Sequence, residues 1–276
     1  MPFVAFDLLG SLFTFNSVLE ALQQVLLDNQ HFHLTATEIK YFFKFWYATA
    51  WRDYIATSHG GKYRPLQQVL RATLTRSLLL FFDDDSRRLS YDHNSSSLLT
   101  KDEIETVMFS FKNLTVDPDA VEALALIIEH NKRVEDTLIE DQHSKTWEIW
   151  LLSAWGRQET LELLQSVGLE GYFKQENMVC CDTLRLSKPH PTVYSELMRT
   201  IVSRTKRIEN IYLIGSYAFD LAGAKNLSLR TIFLNKREKV YVSSMYDNAE
   251  PNLTCTTLTD GVLQMFHFEK TKRFLF

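Results

Sequence analysis

FVAFDLLGSLF, residues 3–13, is the stretch on which the reading of the chain turns. Four apolar residues run into Asp7, and Gly10 and Ser11 follow. A short, unbroken apolar run is the pattern of a strand buried on both faces, as in a parallel sheet. A carboxylate at its end costs free energy unless hydrogen bonds or a cation satisfy it. A glycine three residues on permits a tight turn beside it. Taken alone, Asp7 is a turn or helix-capping aspartate; as the end of a buried strand it is a candidate for chemistry.

Outward from this strand, predicted over 3–9, four more apolar runs read as strands: 147–153, 177–182, 210–215 and 230–235. Helical patterns separate the later ones. Residues 158–167 carry Leu161, Leu164 and Val167 and stop at Gly168, a helix-ending residue. Residues 191–203 open on Pro191 and carry Val193, Leu197, Met198 and Ile201. This alternation predicts an α/β fold with a doubly wound, mainly parallel, Rossmann-like sheet. The first strand breaks the rhythm. Residues 16–115 carry helical patterns, dense in rings (Phe42, Phe43, Phe45, Trp46, Tyr47, Trp51, Tyr54), and no strand alternation. The expected division is therefore a core of 1–15 and 116–276 with an inserted helical subdomain, 16–115. Asp117-Pro118-Asp119 reads as the start of the helix that returns to the core, and the polar stretches 83–100 and 133–145 read as surface.

Composition excludes several classes. Among 276 residues, 45% are apolar and 23% charged, with net charge −4. Lys and Arg are scattered rather than clustered, so nucleic acid is not an expected partner. Cys180, Cys181 and Cys255 contain no CxxC and are odd in number, which suits free thiols in a reducing compartment better than disulfides or zinc. The apolar opening lacks a basic flank and is interrupted by Asp7, unlike a signal peptide. No run approaches the roughly 20 apolar residues of a membrane span. A cytoplasmic protein with no membrane partner is expected, and the N-x-S/T triplets at Asn94, Asn113, Asn226 and Asn252 are read as chance matches.

Open α/β sheets place their sites at the C-terminal ends of strands. Besides Asp7, those ends offer Ser153 in WEIWLLSAWG, Lys188 in RLSKPHPTVY, and Gly215-Ser216 with Asp220 in IYLIGSYAFDLAGAKN. Singly these are a turn serine, a surface lysine and an aspartate complementing a helix dipole. As an ordered set they resemble the motif series of the haloacid dehalogenase (HAD) superfamily, closest to its L-2-haloacid dehalogenase (type II) branch. FDLLGSLF resembles the nucleophile motif. KPHPTVY and AFDLAGAKNLSLRTIFLNK resemble the third and fourth motifs, KYRPLQQVLRATL a cap segment, and EPNLTCTTLTDGVLQM the C-terminal end.

The resemblance implies that Asp7 is a nucleophile forming a covalent ester that water then hydrolyses. Lys188 would balance its charge, Ser11 and Ser153 would donate hydrogen bonds, and Asp220 would orient Lys188 and the water. Tyr194 matches a site tyrosine of the family. Superfamily phosphatases carry a second aspartate two residues after the first, to protonate the leaving alkoxide; here it is Leu9. With Ser216 where an acidic residue would help hold Mg²⁺, no metal and no cofactor are expected. The chain also departs from the dehalogenases. Tyr47 aligns with the halide-accepting arginine, Ala154 and Tyr217 with asparagines, Gly215 with a serine and Leu9 with a tyrosine. Arg52 lies five residues from Tyr47, on the wrong helix face to replace that arginine. The expectation is a 2-haloacid dehalogenase-like hydrolase with an altered, more apolar substrate site, acting on a small molecule, with a homodimer through the cap implied. Two alternatives stand beside it: a non-hydrolytic catalyst using the Asp7/Lys188 pair for elimination or cyclisation of a natural product, and a catalytically silent binding protein.

Overall fold

The computed structural model describes residues 1–27, 29, 34–82, 98–136 and 145–271. The polar stretch expected at 83–100 and the acidic one at 133–145 lie mostly outside them. The chain divides into two compact units, Met1–Thr14 with Val116–Phe276, and Phe15–Thr115. The first crossing thus falls one residue earlier than the sequence suggests. Phe15 goes with the helices because its ring packs on Phe43, Tyr47 and Phe111, at centroid distances of 5.3, 4.8 and 6.4 Å.

In chain order the elements begin with β1 (Phe3–Asp7), β2 (Phe13–Thr14), α1 (Asn16–Leu26), α2 (Ala36–His59), α3 (Leu66–Phe82), α4 (Lys101–Ser110) and β3 (Thr115–Val116). Then come α5 (Pro118–Asp136), β4 (Glu148–Ser153), α6 (Arg157–Ser166), β5 (Met178–Cys180), α7 (Cys181–Leu184) and α8 (Pro191–Thr205). The chain closes with β6 (Ile211–Gly215), α9 (Ala218–Lys225), β7 (Arg230–Leu234), β8 (Leu253–Cys255) and α10 (Leu258–Thr271). β2 and β3 form a small two-stranded sheet.

The six remaining strands form one parallel sheet in the order β5-β4-β1-β6-β7-β8. Counted in chain order within the sheet this is the Rossmann order, which reverses direction beside the first strand and leaves a crevice at that point. β1 is central, with Asp7 opposite Leu152 of β4 and Phe6 opposite Ile214 of β6. Its apolar residues Phe3, Val4, Ala5 and Phe6 are fully buried, as a strand covered on both faces requires. β1 stops at Asp7, two residues short of expectation, because Leu8–Phe13 turn back: Leu12 N–H and Phe13 N–H donate to Leu8 O, and Gly10 N–H to Phe13 O. β8 has no counterpart in the sequence reading; LTC is too short to register as a periodic run.

On one side of the sheet α8 lays down Val193, Leu197 and Ile201, four residues apart, with Tyr194, against Phe3, Ala5, Trp150, Leu152, Leu213 and Phe233. Burial of each aliphatic side chain stabilises the core by about 1.5–3 kcal/mol. α10 begins where Asp119 accepts from Leu258 N–H and Thr259 N–H, so the start of α5 caps the last helix. Elsewhere in the core Glu269 on α10 accepts from Asn210, Tyr212 and Arg230, a polar cluster with its partners satisfied.

The helical unit owes its ends to capping boxes, Thr35 with Glu38 on α2 and Thr100 with Glu103 on α4. Its interior is the ring-rich face of α2. Trp46 Nε1 donates to Leu70 O at 3.1 Å, and the hydroxyls of Tyr54 and Tyr63 meet at 3.1 Å. Among the described residues no helix is long and apolar enough to cross a membrane.

Candidate active site

The C-terminal end of β1 gathers buried polar residues from several segments of the core. Asp7 ends β1 and Ser216 follows β6, its neighbour in the sheet. Lys188 lies in the turn that leads into α8, closed by His190 N–H donating to Ser187 O at 2.9 Å. Its ammonium donates to Asp7 Oδ1 at 2.7 Å and to Asp220 Oδ2 at 2.6 Å. The three side chains are only 1–3% exposed, so this is a buried cation bridging two buried carboxylates. Asp220 sits in the first turn of α9, where the helix dipole favours a negative charge. Its other oxygen, Oδ1, accepts from the Tyr194 hydroxyl at 2.7 Å. α9 approaches α8 closely at Gly223, where an added Cβ would lie 2.7 Å from Pro189 Cβ and 2.9 Å from the Tyr194 hydroxyl.

The second oxygen of Asp7 is held more loosely, by Ser11 Oγ at 3.3 Å. Ser216 Oγ donates to Gly10 O at 2.9 Å, so the single Ser11 proton is shared between Asp7 Oδ2 and Ser216 Oγ, 3.2 Å away. Oδ1 is therefore pinned by the strong ionic bond, and Oδ2 carries the longer one.

Burial pushes the Asp7 carboxyl above its ordinary range; Lys188 opposes this and the Asp220 carboxylate adds to it. Burial alone would strip Lys188 of its proton, but Asp220 and Asp7 outweigh it and hold the lysine protonated far above neutrality. Tyr194 stays neutral, because burial and the Asp220 charge both raise its pKa.

Other expected residues sit differently. The hydrogen bonds of Ser153 are local, from Trp155 N–H at 3.0 Å and with Thr160 Oγ1 at 2.9 Å; none reaches Asp7. Thr160 donates onward to Gly156 O at 2.7 Å, so Ser153 shapes the turn into α6. Ala154 and Leu9 are buried. Tyr194 bonds Asp220 rather than Asp7. Tyr47 lies in the ring core of the helical unit, with Phe15, Phe43 and Trp51 around it. Arg52 pairs with Asp53 at 3.0 Å on an exposed face. Tyr217 is half-buried beside Phe219, before α9. Among the described residues no group of three or more His, Cys, Asp or Glu is arranged to hold a metal ion.

Sequence reading carried the fourth-motif stretch as far as Lys236 and assigned no role to the loop after β7. There Lys236 donates to Asp117 Oδ2 at 2.7 Å and Asp119 Oδ2 at 3.1 Å. Glu238, whose carboxyl is raised by burial, accepts from Ala218 N–H at the start of α9, at 2.6 Å. Between them Arg237 lies over Gly10. A Cβ there would fall 2.9 Å from Arg237 Nε and 3.4 Å from the Tyr217 hydroxyl, and Gly10 has φ +79°. In the sequence NKREKV reads as an ordinary charged loop; only a glycine three residues after Asp7 hints that something approaches it closely.

No family model matches the sequence, and no curated protein matches it. Solved structures do. An L-2-haloacid dehalogenase from Xanthobacter autotrophicus superposes with a TM-score of 0.65 at 18% identity, covering 95% of this chain and 97% of its own. Another L-2-haloacid dehalogenase gives 0.70 at 18% identity, over 97% and 99%. A HAD-hydrolase from Bacillus subtilis, bound to magnesium, gives 0.65 at 14% identity, over 97% and 98%. At such identities the likeness establishes a shared fold, that of a Rossmann-like core with an inserted helical unit.

Proposed function

We propose that this chain, which has the haloacid dehalogenase fold, is a hydrolase of that superfamily working through a covalent ester on Asp7. In this reading it is 2-haloacid dehalogenase-like, with a substrate site made more apolar by Leu9, Ala154 and Tyr217. The observation that carries the proposal is the Lys188 ammonium set between Asp7 and Asp220 at the end of the central strands. It keeps a buried nucleophile ionised and leaves Asp7 Oδ2 as the attacking oxygen.

Asp7 Oδ2 attacks the electrophilic carbon; the carbon–oxygen bond forms as the carbon–halogen bond breaks and halide departs with its electron pair. Water then adds to the Asp7 carbonyl carbon and expels the hydroxylated product. Asp7 keeps one oxygen from water, and the net proton passes to solvent. The leaving group needs no proton, which suits a leucine at position 9. Lys188 already supplies the positive charge between the carboxylates, so the same reading needs no divalent metal. Single turnover in ¹⁸O-water tests it: label must enter Asp7, and Asp7→Asn must be inactive. An inactive Asp7→Asn without label uptake by the parent protein would move the reading to acid–base elimination or cyclisation. A homodimer through the helical unit belongs to the proposal; exposed Tyr41 and Phe45, one turn apart on α2, and Leu80 on α3 support it. Sedimentation velocity tests that part.

A further inference from the structure

We infer that Glu238 is a positioning residue of the site: from the loop after β7 its carboxylate caps α9, and so holds Asp220 against Lys188, the cation of Asp7. This deepens the reading of Asp7 as the reacting group and rests on it for what the held groups do.

A helix start leaves its first backbone N–H groups without partners in the helix, and a nearby side chain usually takes one of them. In α2 and α4 the third residue shares this role: Glu38 and Glu103 reach back to accept from Thr35 N–H and Thr100 N–H. α9 also has an acid as its third residue, Asp220, but both its oxygens are committed elsewhere. Oδ2 accepts from the Lys188 ammonium at 2.6 Å and Oδ1 from the Tyr194 hydroxyl at 2.7 Å. Tyr217, the residue before the helix, gives no side-chain cap. The cap comes from a distant segment instead, because Glu238 Oε2 accepts from Ala218 N–H, the first amide of α9, at 2.6 Å.

The surroundings suit that role. A carboxylate at the start of a helix is favoured by the dipole. Burial raises the Glu238 carboxyl, and the Ala218 N–H opposes the rise by stabilising its charge. Two residues earlier Lys236 anchors the same loop to Asp117 and Asp119, at 2.7 and 3.1 Å. α9 has only eight residues, so a start that frays displaces Asp220 directly. Its middle is fixed by the close approach of Gly223 to Pro189 and Tyr194; its beginning is fixed by Glu238.

Hydrogen exchange and carboxyl ¹³C NMR of the full chain test this without a substrate. In the parent protein Ala218 N–H donates to Glu238 and Leu221 N–H to Tyr217 O. Glu238→Ala should speed exchange of these two amides by about 2- to 30-fold, the range that loss of a helix cap gives. The Asp220 ¹³Cγ resonance, identified by its loss in Asp220→Asn, should move. That of Asp119, which meets the same loop through Lys236, should move less; Asp119→Asn identifies it. A loop tie alone would produce the opposite order. Glu238→Gln, which keeps an oxygen acceptor without the charge, should show the same changes at smaller size, and it is read by the same criteria if Glu238→Ala does not fold. Lys239→Ala, at an exposed neighbour, should change neither signal. Parent-like exchange of Ala218 and Leu221, or an Asp220 resonance that moves no more than that of Asp119, overturns the assignment. Absence of label in Asp7 would leave this result standing, and failure here would leave label uptake by Asp7 untouched.

Discussion

Lys188→Met replaces the ammonium with an apolar side chain of similar length, and its consequences follow from two distances. Lys188 Nζ is 2.7 Å from Asp7 Oδ1 and 2.6 Å from Asp220 Oδ2, with all three groups out of solvent. Removing one partner of a buried ion pair leaves uncompensated charge and costs about 3–5 kcal/mol. Here two carboxylates face each other, so we predict the upper part of that range at pH 8. The pH dependence has a definite sign. Without the lysine the Asp7 carboxyl, already raised by burial, rises further above its unfolded value of about 3.9. A group raised in this way favours folding below its unfolded pKa and loses that contribution as pH rises through the folded one. The deficit of Lys188→Met should therefore shrink steadily from pH 8 to pH 5, by about 1.4 kcal/mol for each pKa unit of carboxylate shift crossed. Adding Asp220→Asn should restore part of the stability at pH 8, since one of the two stranded charges is gone. Urea unfolding of the parent, single and double variants at pH 5 and 8 reads all of this without knowledge of the substrate. A Lys188→Met deficit below about 1 kcal/mol, equal at both pH values, would refute the description of the site as a cation between two buried carboxylates.

Other perturbations follow from the same geometry. Burial raises the Asp7 carboxyl, and only its ionised form attacks, so kcat/KM should fall with decreasing pH at a midpoint above the ordinary carboxylate value of about 4; a profile flat down to pH 4 would contradict it. Gly223→Ala should push Tyr194 away from Asp220, since its Cβ would lie 2.9 Å from the hydroxyl; Tyr194→Phe should reproduce the loss of activity with less loss of stability, and rates and urea midpoints of the two variants check this. Gly215→Ser should fold normally, because an added Cβ meets only ordinary contacts, 3.6 Å from Asp7 Cβ and 3.8 Å from Asp220 Oδ2; a large shift in urea midpoint would show the packing at β6 to be tighter than described. Prolonged EDTA treatment should leave turnover unchanged, whereas loss with recovery on Mg²⁺ would redirect the reading to phosphoryl transfer.

The sheet was legible because its long strands carry short apolar runs, three of them ending at Asp7, Ser153 and Gly215, and β1, β4, β6 and β7 fall within a few residues of expectation. The pairing of Asp7, Lys188 and Asp220 was legible through resemblance and not through spacing, since Lys188 stands 181 residues from Asp7 along the chain. What stayed hidden depends on side-chain direction. Nothing in WLLSAWG says that Ser153 will turn to Thr160 and the Trp155 amide. Tyr47 reads equally as a site ring or a core ring, because burial on an aromatic helix does not depend on a partner's identity. Arg237 sits in a charged loop with no periodicity, and its place over Gly10 is decided by Lys236 and Glu238 on either side, each answering to a different segment.

The place of β1 in the sheet bears on how the chain is made. Its neighbours are β4, which begins at Glu148, and β6, which begins at Ile211. During synthesis the apolar FVAF segment emerges with both edges unpaired and stays so until its partners follow, on the order of ten seconds at ordinary translation rates. The helices encoded in between rely on near-neighbour contacts and have no such wait. Nascent chains released before residue 211 should therefore carry a structured helical segment and an exposed strand able to pair with other chains. For this protein the hazard of aggregation lies in the first seven residues, the ones that also hold its reactive carboxylate.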